Sequence, residues 1–322
     1  MGYLLGTDEA GYGPNLGPLV ISATVWEAPD GVGNEDLFGR LNRVIASRID
    51  GVSAGGPHVA MADSKVLYTS GQGLRHLERG LWAALGLLDC RPRTWRDVWQ
   101  AMAPDDLLTM PRIPWHADYD GPAPLDCLAE EMEPLVPALR AGLAAAGVRL
   151  MAVRSRAIFP EEFNELVERY GSKGTALSHQ TLALAARAIE GLPPGKISLV
   201  CDKHGGRNRY GPLLAAHFPE WLIEICGEGR RQSVYRFGPP ERRVEICFRT
   251  KAESCLPAAL ASMASKYLRE LAMRAMNEYW CRRVPGLQPT AGYPQDAKRF
   301  RMDIAEAQVK LRIADRVLWR VK

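Results

Sequence analysis

Short apolar or β-branched runs alternate along this chain with stretches of helical periodicity, and this alternation restricts the possible folds most strongly. The first two runs, 3–7 and 19–26, flank the Gly/Pro-rich segment AGYGPNLGP, which is typical of two strands joined by a structured turn. The chain is therefore predicted to be α/β, with a central mixed sheet flanked by helices. Further strands are predicted at 150–153, 197–201, 221–226, 233–237 and 243–248, and helices at 36–49, 73–88, 126–146, 161–169, 175–190 and 254–283.

The middle of the chain has a different character. Residues 91–125 contain three tryptophans and six prolines but few periodic apolar positions. We interpret 91–147 as an insertion or small subdomain between two parts of a core, 1–90 and 148–284. The basic tail, 285–322, is predicted to be a partly helical extension.

Composition excludes several classes of protein. No run approaches the roughly 18 apolar residues of a membrane span, and acidic residues stand where a signal peptide would be cationic, so we expect a cytoplasmic protein without a membrane partner. Seven scattered cysteines without a CxxC motif, and six dispersed histidines, argue against a disulfide framework and a zinc site. The oligomeric state is not indicated.

Charge is distributed unevenly. Residues 1–200 hold 18 Lys/Arg and 24 Asp/Glu, whereas 201–322 hold 23 and 13, which gives halves of −6 and +10 within the net +4. A basic half favours a phosphate-bearing partner, and a solvated surface with a chance imbalance is the alternative.

Carboxylates follow two of the predicted strands. Asp8 and Glu9 end the first. Because adjacent strand residues face opposite sides, we expect the chain to bend after Asp8 so that both converge, with Ala10, Gly11 and Gly13 easing the bend. An acidic turn is the alternative for this dipeptide alone. Asp202 ends the run ISLVC. Clustered carboxylates raise one another's pKa unless a cation neutralises them, so a hard divalent ion, Mg²⁺ or Mn²⁺, is expected.

Several motifs, in order along the chain, resemble those of ribonuclease HII, the type 2 ribonuclease H family. GTDEAGYG followed by GPLV is similar to the family's G-x-DEAGRG with GPLV, and ADSKVL to its DSK-x-L element. The segment KAE at 251–253 resembles the family's KGD or KAD, ASMASKYLRELAM its ASI-x-AK-x-x-RD-x-x-M helix, and GYPQD the GYPSD loop of the archaeal branch. The resemblance covers about half of the chain and leaves 91–147 and much of 204–248 without a counterpart.

The resemblance implies a divergent member with a ribonuclease H-like fold. Its implied function is endonucleolytic hydrolysis of the RNA strand of RNA/DNA hybrids, or of ribonucleotides embedded in duplex DNA, leaving a 5′-phosphate and a 3′-hydroxyl. Asp8, Glu9, Asp202 and Glu253 would hold two Mg²⁺ or Mn²⁺ ions. The implied substrate-binding residues are Gly11, Tyr12, Gly13, Ser64, Lys65, Lys203, Ser262, Lys266, Arg269 and Tyr293.

Three of these residues lie on the predicted long helix. Ser262, Lys266 and Arg269 fall at i, i+4 and i+7, so they are expected to share one side and to follow a phosphate backbone. Lys65 and Lys203 are further candidates for phosphate contacts, and an ordinary solvated charge is the alternative for each.

Two positions depart from the family pattern. Tyr12 stands where the family has an arginine, which predicts altered substrate choice, and Glu253 stands where it has an aspartate. Tyr293 resembles the tyrosine that stacks on the sugar and senses the 2′-hydroxyl. Two other functions remain open: a nuclease of this fold that acts on structured DNA, and a non-catalytic nucleic-acid-binding module.

Overall fold

The computed structural model describes residues 1–51, 58–68 and 73–321. Its strands are β1 (Gly2–Ala10), β2 (Leu19–Ala28), β3 (Ile45–Ala46), β4 (Val59–Ala60), β5 (Arg149–Ile158), β6 (Ile197–Asp202), β7 (Glu224–Glu228), β8 (Gln232–Phe237) and β9 (Val244–Arg249). Its helices are α1 (Leu37–Arg40), α2 (Ser64–Leu67), α3 (Arg75–Leu87), α4 (Trp95–Met102), α5 (Ala129–Met132), α6 (Leu135–Ala145), α7 (Pro160–Tyr170), α8 (Lys173–Glu190), α9 (Gly211–His217), α10 (Leu256–Cys281), α11 (Pro294–Lys310) and α12 (Asp315–Leu318).

Seven strands form one mixed sheet in the order β5-β2-β1-β6-β9-β8-β7. β1, β6 and β9 are parallel neighbours, and the remaining pairs are antiparallel. The sheet confirms the predicted α/β fold with its flanking helices. Because the three central strands are parallel, their carboxyl ends meet at the same edge.

Helix α10 packs closely against the middle of the sheet. Pro257 lies in its first turn, where no backbone N–H is needed, and its carbonyl accepts a hydrogen bond from Thr24 Oγ1 at 2.7 Å. A Cβ on Gly6 of β1 would lie 2.1 Å from the backbone nitrogen of Ala258. Glycine at this position therefore permits the close contact between helix and strand.

We expect Gly6→Ala to destabilise the protein by about 3 kcal/mol or more, because the clash is with backbone and a flexible side chain cannot relieve it. Urea unfolding measures the change. Gly39→Ala is the matched control, since a Cβ there meets nothing within 4 Å. Equal stabilities of the two variants would contradict the close packing of α10 on β1.

Residues 91–147 share the core that lies under α10. Trp95 Nε1 donates to the Leu271 carbonyl at 3.1 Å, and His116 Nε2 lies 3.3 Å from the Ala272 carbonyl. Trp95, Trp99 and Trp115 belong to the same buried cluster as the β1, β2 and α10 side chains. The division into core, insertion and C-terminal extension stays a prediction.

Two predicted helices differ from the observed ones. The helix expected at 36–49 is limited to α1, and Ile45 pairs with Val59 in a short parallel ladder, as suits a β-branched residue. The helix expected at 126–146 is divided into α5 and α6 around Pro134, which has no N–H to continue a helix. Within the described residues, no helix combines the length and apolar character needed to cross a membrane.

Candidate active site

Acidic side chains from distant parts of the chain meet at the carboxyl edge of the central strands. Thr7 of β1 is opposite Cys201 of β6, so Asp8 and Asp202 reach the same level of the sheet. β9 leads into a 3₁₀ turn, Ala252–Ser254, which carries Glu253. The parallel arrangement of β1, β6 and β9 is therefore what gathers these carboxylates.

Backbone groups hold Asp202 in place. Burial raises its pKa, and the neighbouring N–H groups of Ala252, Lys203 and Lys251 lower it by a smaller amount. Burial also raises the pKa of Glu253, with further contributions from the charges of Asp63 and Asp202. Asp202 and the turn carrying Glu253 thus form one connected unit.

The pKa values of the first two acids are strongly raised. Burial, and then the charge of Asp202, raise the pKa of Asp8 to about 7, although the neighbouring Ser262 hydroxyl lowers it. Burial and the charges of Asp8 and Asp202 hold the pKa of Glu9 well above its usual range. Both side chains keep part of their surface open to solvent, so the cleft is accessible. Burial, together with the charges of neighbouring carboxylates, therefore accounts for both raised pKa values.

The predicted bend after Asp8 is wrong. β1 continues through Ala10, with Asp8 opposite Ser22 and Glu9 opposite Ile21. Ser22 contacts Ser265 of α10, whereas Ile21 packs on the opposite face with α7 and α8. The pleat therefore directs Asp8 and Glu9 toward opposite faces at the end of the sheet.

The turn begins instead at Gly11. Its φ is +88°, which favours glycine, and a Cβ there would lie 2.6 Å from the Pro18 carbonyl oxygen. Ladder pairing between β1 and β2 is maintained up to Ala10, the residue before this turn.

Among the described residues, no three His, Cys, Asp or Glu side chains already have the arrangement that encloses a metal ion. The acids nevertheless perturb one another's pKa values and supply only oxygen donors. Lys65 is a neighbouring cation that lowers the pKa of Glu9 and Asp202, and burial outweighs it. This donor set fits Mg²⁺ or Mn²⁺ by its chemistry.

Sequence reasoning did not assign a role to Asp63, a further acid at the site. It caps α2 by accepting a hydrogen bond from the Lys65 N–H at 3.1 Å, and its charge raises the pKa of Asp8 and Glu253. Ser262 Oγ lies 3.0 Å from Ser64 Oγ and 3.5 Å from Asp63 Oδ1. The sequence signal for Asp63 is its place in the segment ADSKVL, directly before Ser64 and Lys65.

The raised pKa of Asp8 predicts a pH dependence of stability. Between about pH 4 and pH 7 the unfolded chain releases the Asp8 proton while the folded protein retains it, so the free energy of unfolding of the metal-free protein falls as pH rises. Asp8→Asn should show a shallower fall. Urea unfolding at several pH values in a chelator measures it, and identical slopes for both proteins would contradict the assigned pKa.

Two lysines expected to bind substrate are engaged within the protein. Lys203 Nζ donates to the Asn208 side chain and the Gly229 carbonyl, each at 2.7 Å. Lys266 forms an ion pair with Glu270 at 2.6 Å and lies over the Tyr68 ring. Both side chains therefore stabilise local structure, and a phosphate would have to compete with these contacts.

Arg269 does not line an exposed stripe, so the expectation that it follows a phosphate backbone is wrong. It is 4% exposed and donates to the carbonyls of Leu16, Pro18 and Ala291 at 2.6–3.1 Å. The turn 11–18 and the loop before Tyr293 cover this side of α10, and buried Ser262 lies under the DSK segment. Helical spacing gives the relative orientation of these residues but does not show what covers them.

The two tyrosines of interest lie beside the same turn. Tyr12 is half-buried and its ring lies 4.8 Å from Lys173 Nζ, whereas Gly13 is exposed. Tyr293 is 58% exposed at the start of α11. The Gly292 carbonyl accepts a hydrogen bond from the Asn15 N–H at 2.8 Å, which keeps the Tyr293 loop next to the turn after Glu9.

No family model matches the sequence, and no curated protein matches it. Solved structures do. Ribonuclease HII from Archaeoglobus fulgidus, solved in a PCNA complex, is 14% identical over 99% of this chain and 94% of its own, with a TM-score of 0.43. Ribonuclease H2 from Pyrococcus horikoshii OT3 is 15% identical over 98% of this chain and 92% of its own, with a TM-score of 0.43.

Bst-RNase HIII, solved with Mn²⁺, is 15% identical over 99% of this chain and 66% of its own, with a TM-score of 0.39. The matched proteins are ribonucleases H of the kind that the sequence motifs resemble. With TM-scores below 0.5, these likenesses leave the site to be judged on its own residues. The residues themselves define an α/β protein with an accessible acidic cleft at the carboxyl edge of a mixed sheet.

Proposed function

We propose that this protein is a divalent-metal-dependent endonuclease of the ribonuclease H type. Its substrate is the RNA strand of an RNA/DNA hybrid, or a ribonucleotide embedded in duplex DNA, and its products carry a 5′-phosphate and a 3′-hydroxyl. The observation that carries the proposal is the convergence of Asp8, Asp202 and Glu253 at one edge of the sheet, where burial raises all three pKa values and the charge of Asp202 adds to those of Asp8 and Glu253. A binder of polyanions gains nothing from such clustered negative charge.

Asp8, Glu9, Asp202 and Glu253 would hold two Mg²⁺ or Mn²⁺ ions. When bound, such ions supply activation of a water molecule and stabilisation of the departing 3′ oxygen. The protein's own groups orient the ligands. The Ser262 hydroxyl would do so for Asp8, and the N–H groups of Ala252, Lys203 and Lys251 would do so for Asp202, since each lowers the pKa of its neighbouring carboxyl group.

Lys65 is the best-placed phosphate contact among Lys65, Lys203, Lys266 and Arg269. Its side chain is exposed, and the charges of Asp63, Asp8, Glu253 and Asp202 raise its pKa, so it stays protonated. Because Lys203, Lys266 and Arg269 are held by protein partners, the salt-dependent contribution to binding should come mainly from Lys65 at this side of the cleft.

We expect Lys65→Ala to flatten the log-log salt dependence of duplex binding by about one unit, because one phosphate contact with its released counterion is lost. Lys266→Ala should leave the slope nearly unchanged, since its ammonium already pairs with Glu270. Binding measured from 50 to 300 mM salt by fluorescence anisotropy provides the slopes. Unchanged binding in Lys65→Ala would place the contact surface elsewhere.

A panel of labelled substrates tests the proposed activity. RNA/DNA hybrid, duplex DNA with one ribonucleotide, double-stranded RNA, single strands and a branched DNA are each incubated with Mg²⁺ and with Mn²⁺. Cleavage of the first two is expected, with a 3′-hydroxyl on the upstream product. Cleavage of branched DNA alone would instead indicate a structure-selective DNA nuclease. Binding without cleavage would indicate a non-catalytic nucleic-acid-binding module.

A further inference from the structure

A small cavity lies beside the turn that follows Glu9, outside the acidic cleft. Its volume is about 130 Å³, several times the roughly 30 Å³ that one water molecule takes up in the liquid. It is lined by residues 12–15, Phe163, Lys173, Pro294, Arg320 and Val321. The cationic members come from the amino end of α8 and from the segment after α12.

Arg320 is buried in the wall of this cavity. It is 1% exposed, its Nη1 donates to the Gly11 carbonyl at 2.6 Å, and its Nη2 donates to the Tyr12 carbonyl at 3.3 Å. The guanidinium also lies 3.9 Å from the centre of the Phe163 ring. Its Nε is buried without a hydrogen-bond partner among the described residues. One donor of this cation is thus left unsatisfied.

The positive charge around the cavity is not balanced by carboxylates. In the described part of the chain, Arg320, Arg269 and Lys173 form no ion pair, and no acidic side chain lines the cavity. Burial and the charge of Arg269 lower the pKa of Arg320 to about 9, and burial lowers that of Arg269 to about 10. A buried charge without a counterion is unfavourable, and a bound anion would relieve it.

We propose that this cavity is a phosphate-binding site, in which Lys173 and Arg320 hold one phosphate group of the nucleic-acid backbone beside the acidic cleft. The identification of nucleic acid as the source of the phosphate rests on the function proposed above. Size and charge together carry it: the cavity has room for a tetrahedral oxyanion, and its ionisable lining residues are basic or phenolic. The turn 11–15 connects it directly to Glu9, so the phosphate lies next to the reacting strand.

Inorganic phosphate is the first probe. Titration calorimetry on the full-length, metal-free protein in chloride buffer should detect phosphate binding, and Lys173→Met should weaken it at least tenfold. Lys173 lies at the helix surface, so this variant keeps the fold, which its thermal unfolding checks. Lys196→Met is the matched control, because Lys196 is exposed at the opposite, amino end of β6. Absent binding in the wild type, or equal affinities of Lys173→Met and wild type, would overturn the site.

A duplex is the second probe. Binding of an RNA/DNA hybrid without metal should lose about one unit of salt slope in Lys173→Met and none in Lys196→Met. An unchanged slope would reject the nucleic-acid backbone as the source and leave a site for free phosphate only. Neither measurement requires cleavage, so a failure of the proposed hydrolysis is distinguishable from a failure of this site.

Discussion

Asp8→Asn and Asp202→Asn are expected to abolish metal-dependent cleavage while leaving the fold intact. Each removes a charged metal ligand, and loss of one member of a catalytic unit costs on the order of 10³-fold or more in turnover. Metal-free stability at neutral pH should stay the same or rise, because burial and the charge of Asp202 raise the pKa of Asp8 to about 7, and burial raises that of Asp202.

Single-turnover cleavage and thermal unfolding, measured on the same preparations, separate the two effects. Asp105→Asn is the matched control, since Asp105 is an exposed acid that pairs with Arg187 at 3.6 Å, away from the cleft. If both site variants unfold, Asp8 and Asp202 have a structural role. If either variant still cleaves, the residue that it replaces is not part of the metal centre.

Tyr293→Ala should reduce turnover by about 100-fold and change duplex affinity little. The ring is exposed at the start of α11, and its loop is held against the turn after Glu9, so its loss should disturb positioning of the sugar more than binding. Tyr293→Phe, which keeps the ring, is the control and should retain most of the turnover. Single-turnover rates and binding isotherms on a duplex with one ribonucleotide measure both quantities.

If Tyr293 contacts the 2′-hydroxyl, cleavage also requires at least one ribonucleotide in the target strand. Efficient cutting of all-DNA substrates, unaffected by Tyr293→Ala, would contradict a ribonuclease and leave a metal-dependent DNA nuclease.

The strands that position the site could be predicted because each is a short apolar run ending in polar or small residues. Residues 3–7 and 197–201 lie within β1 and β6, and Asp202 ends its strand as expected. The alternation of runs and helical periods was sufficient for the α/β class, because periodicity of apolar residues reports the buried face of each element. It does not report which strands pair, and parallel pairing of β1 with β6 comes from tertiary packing.

The directions of side chains were less predictable. The bend expected after Asp8 assumed that adjacent carboxylates must converge, whereas β1 keeps its ladder with β2 through Ala10. Arg269 was expected to be exposed because helical spacing placed it away from the apolar stripe, yet the turn 11–18 covers it. Contacts between segments far apart in sequence decide both cases.

The same limit explains why Arg320 was not considered. It is 308 residues from Tyr12 along the chain, and the tail around it offers no motif. Its position depends on the tail packing back on the site: the Arg320 N–H donates to the Asn15 carbonyl at 2.9 Å, and Asn164 Nδ2 donates to the Trp319 carbonyl at 2.9 Å. Local periodicity carries no information about such a contact.

The metal centre is tested most directly by locating Mn²⁺ in crystals of the wild-type protein by anomalous scattering. The expected result is two ions roughly 4 Å apart in the cleft. Their ligands should come from Asp8, Glu9, Asp202 and Glu253, whose charges already act on one another. Manganese bound only outside this cleft, or an Asp202 carboxylate that makes no contact with it, would contradict a metal-dependent nuclease built on these four acids.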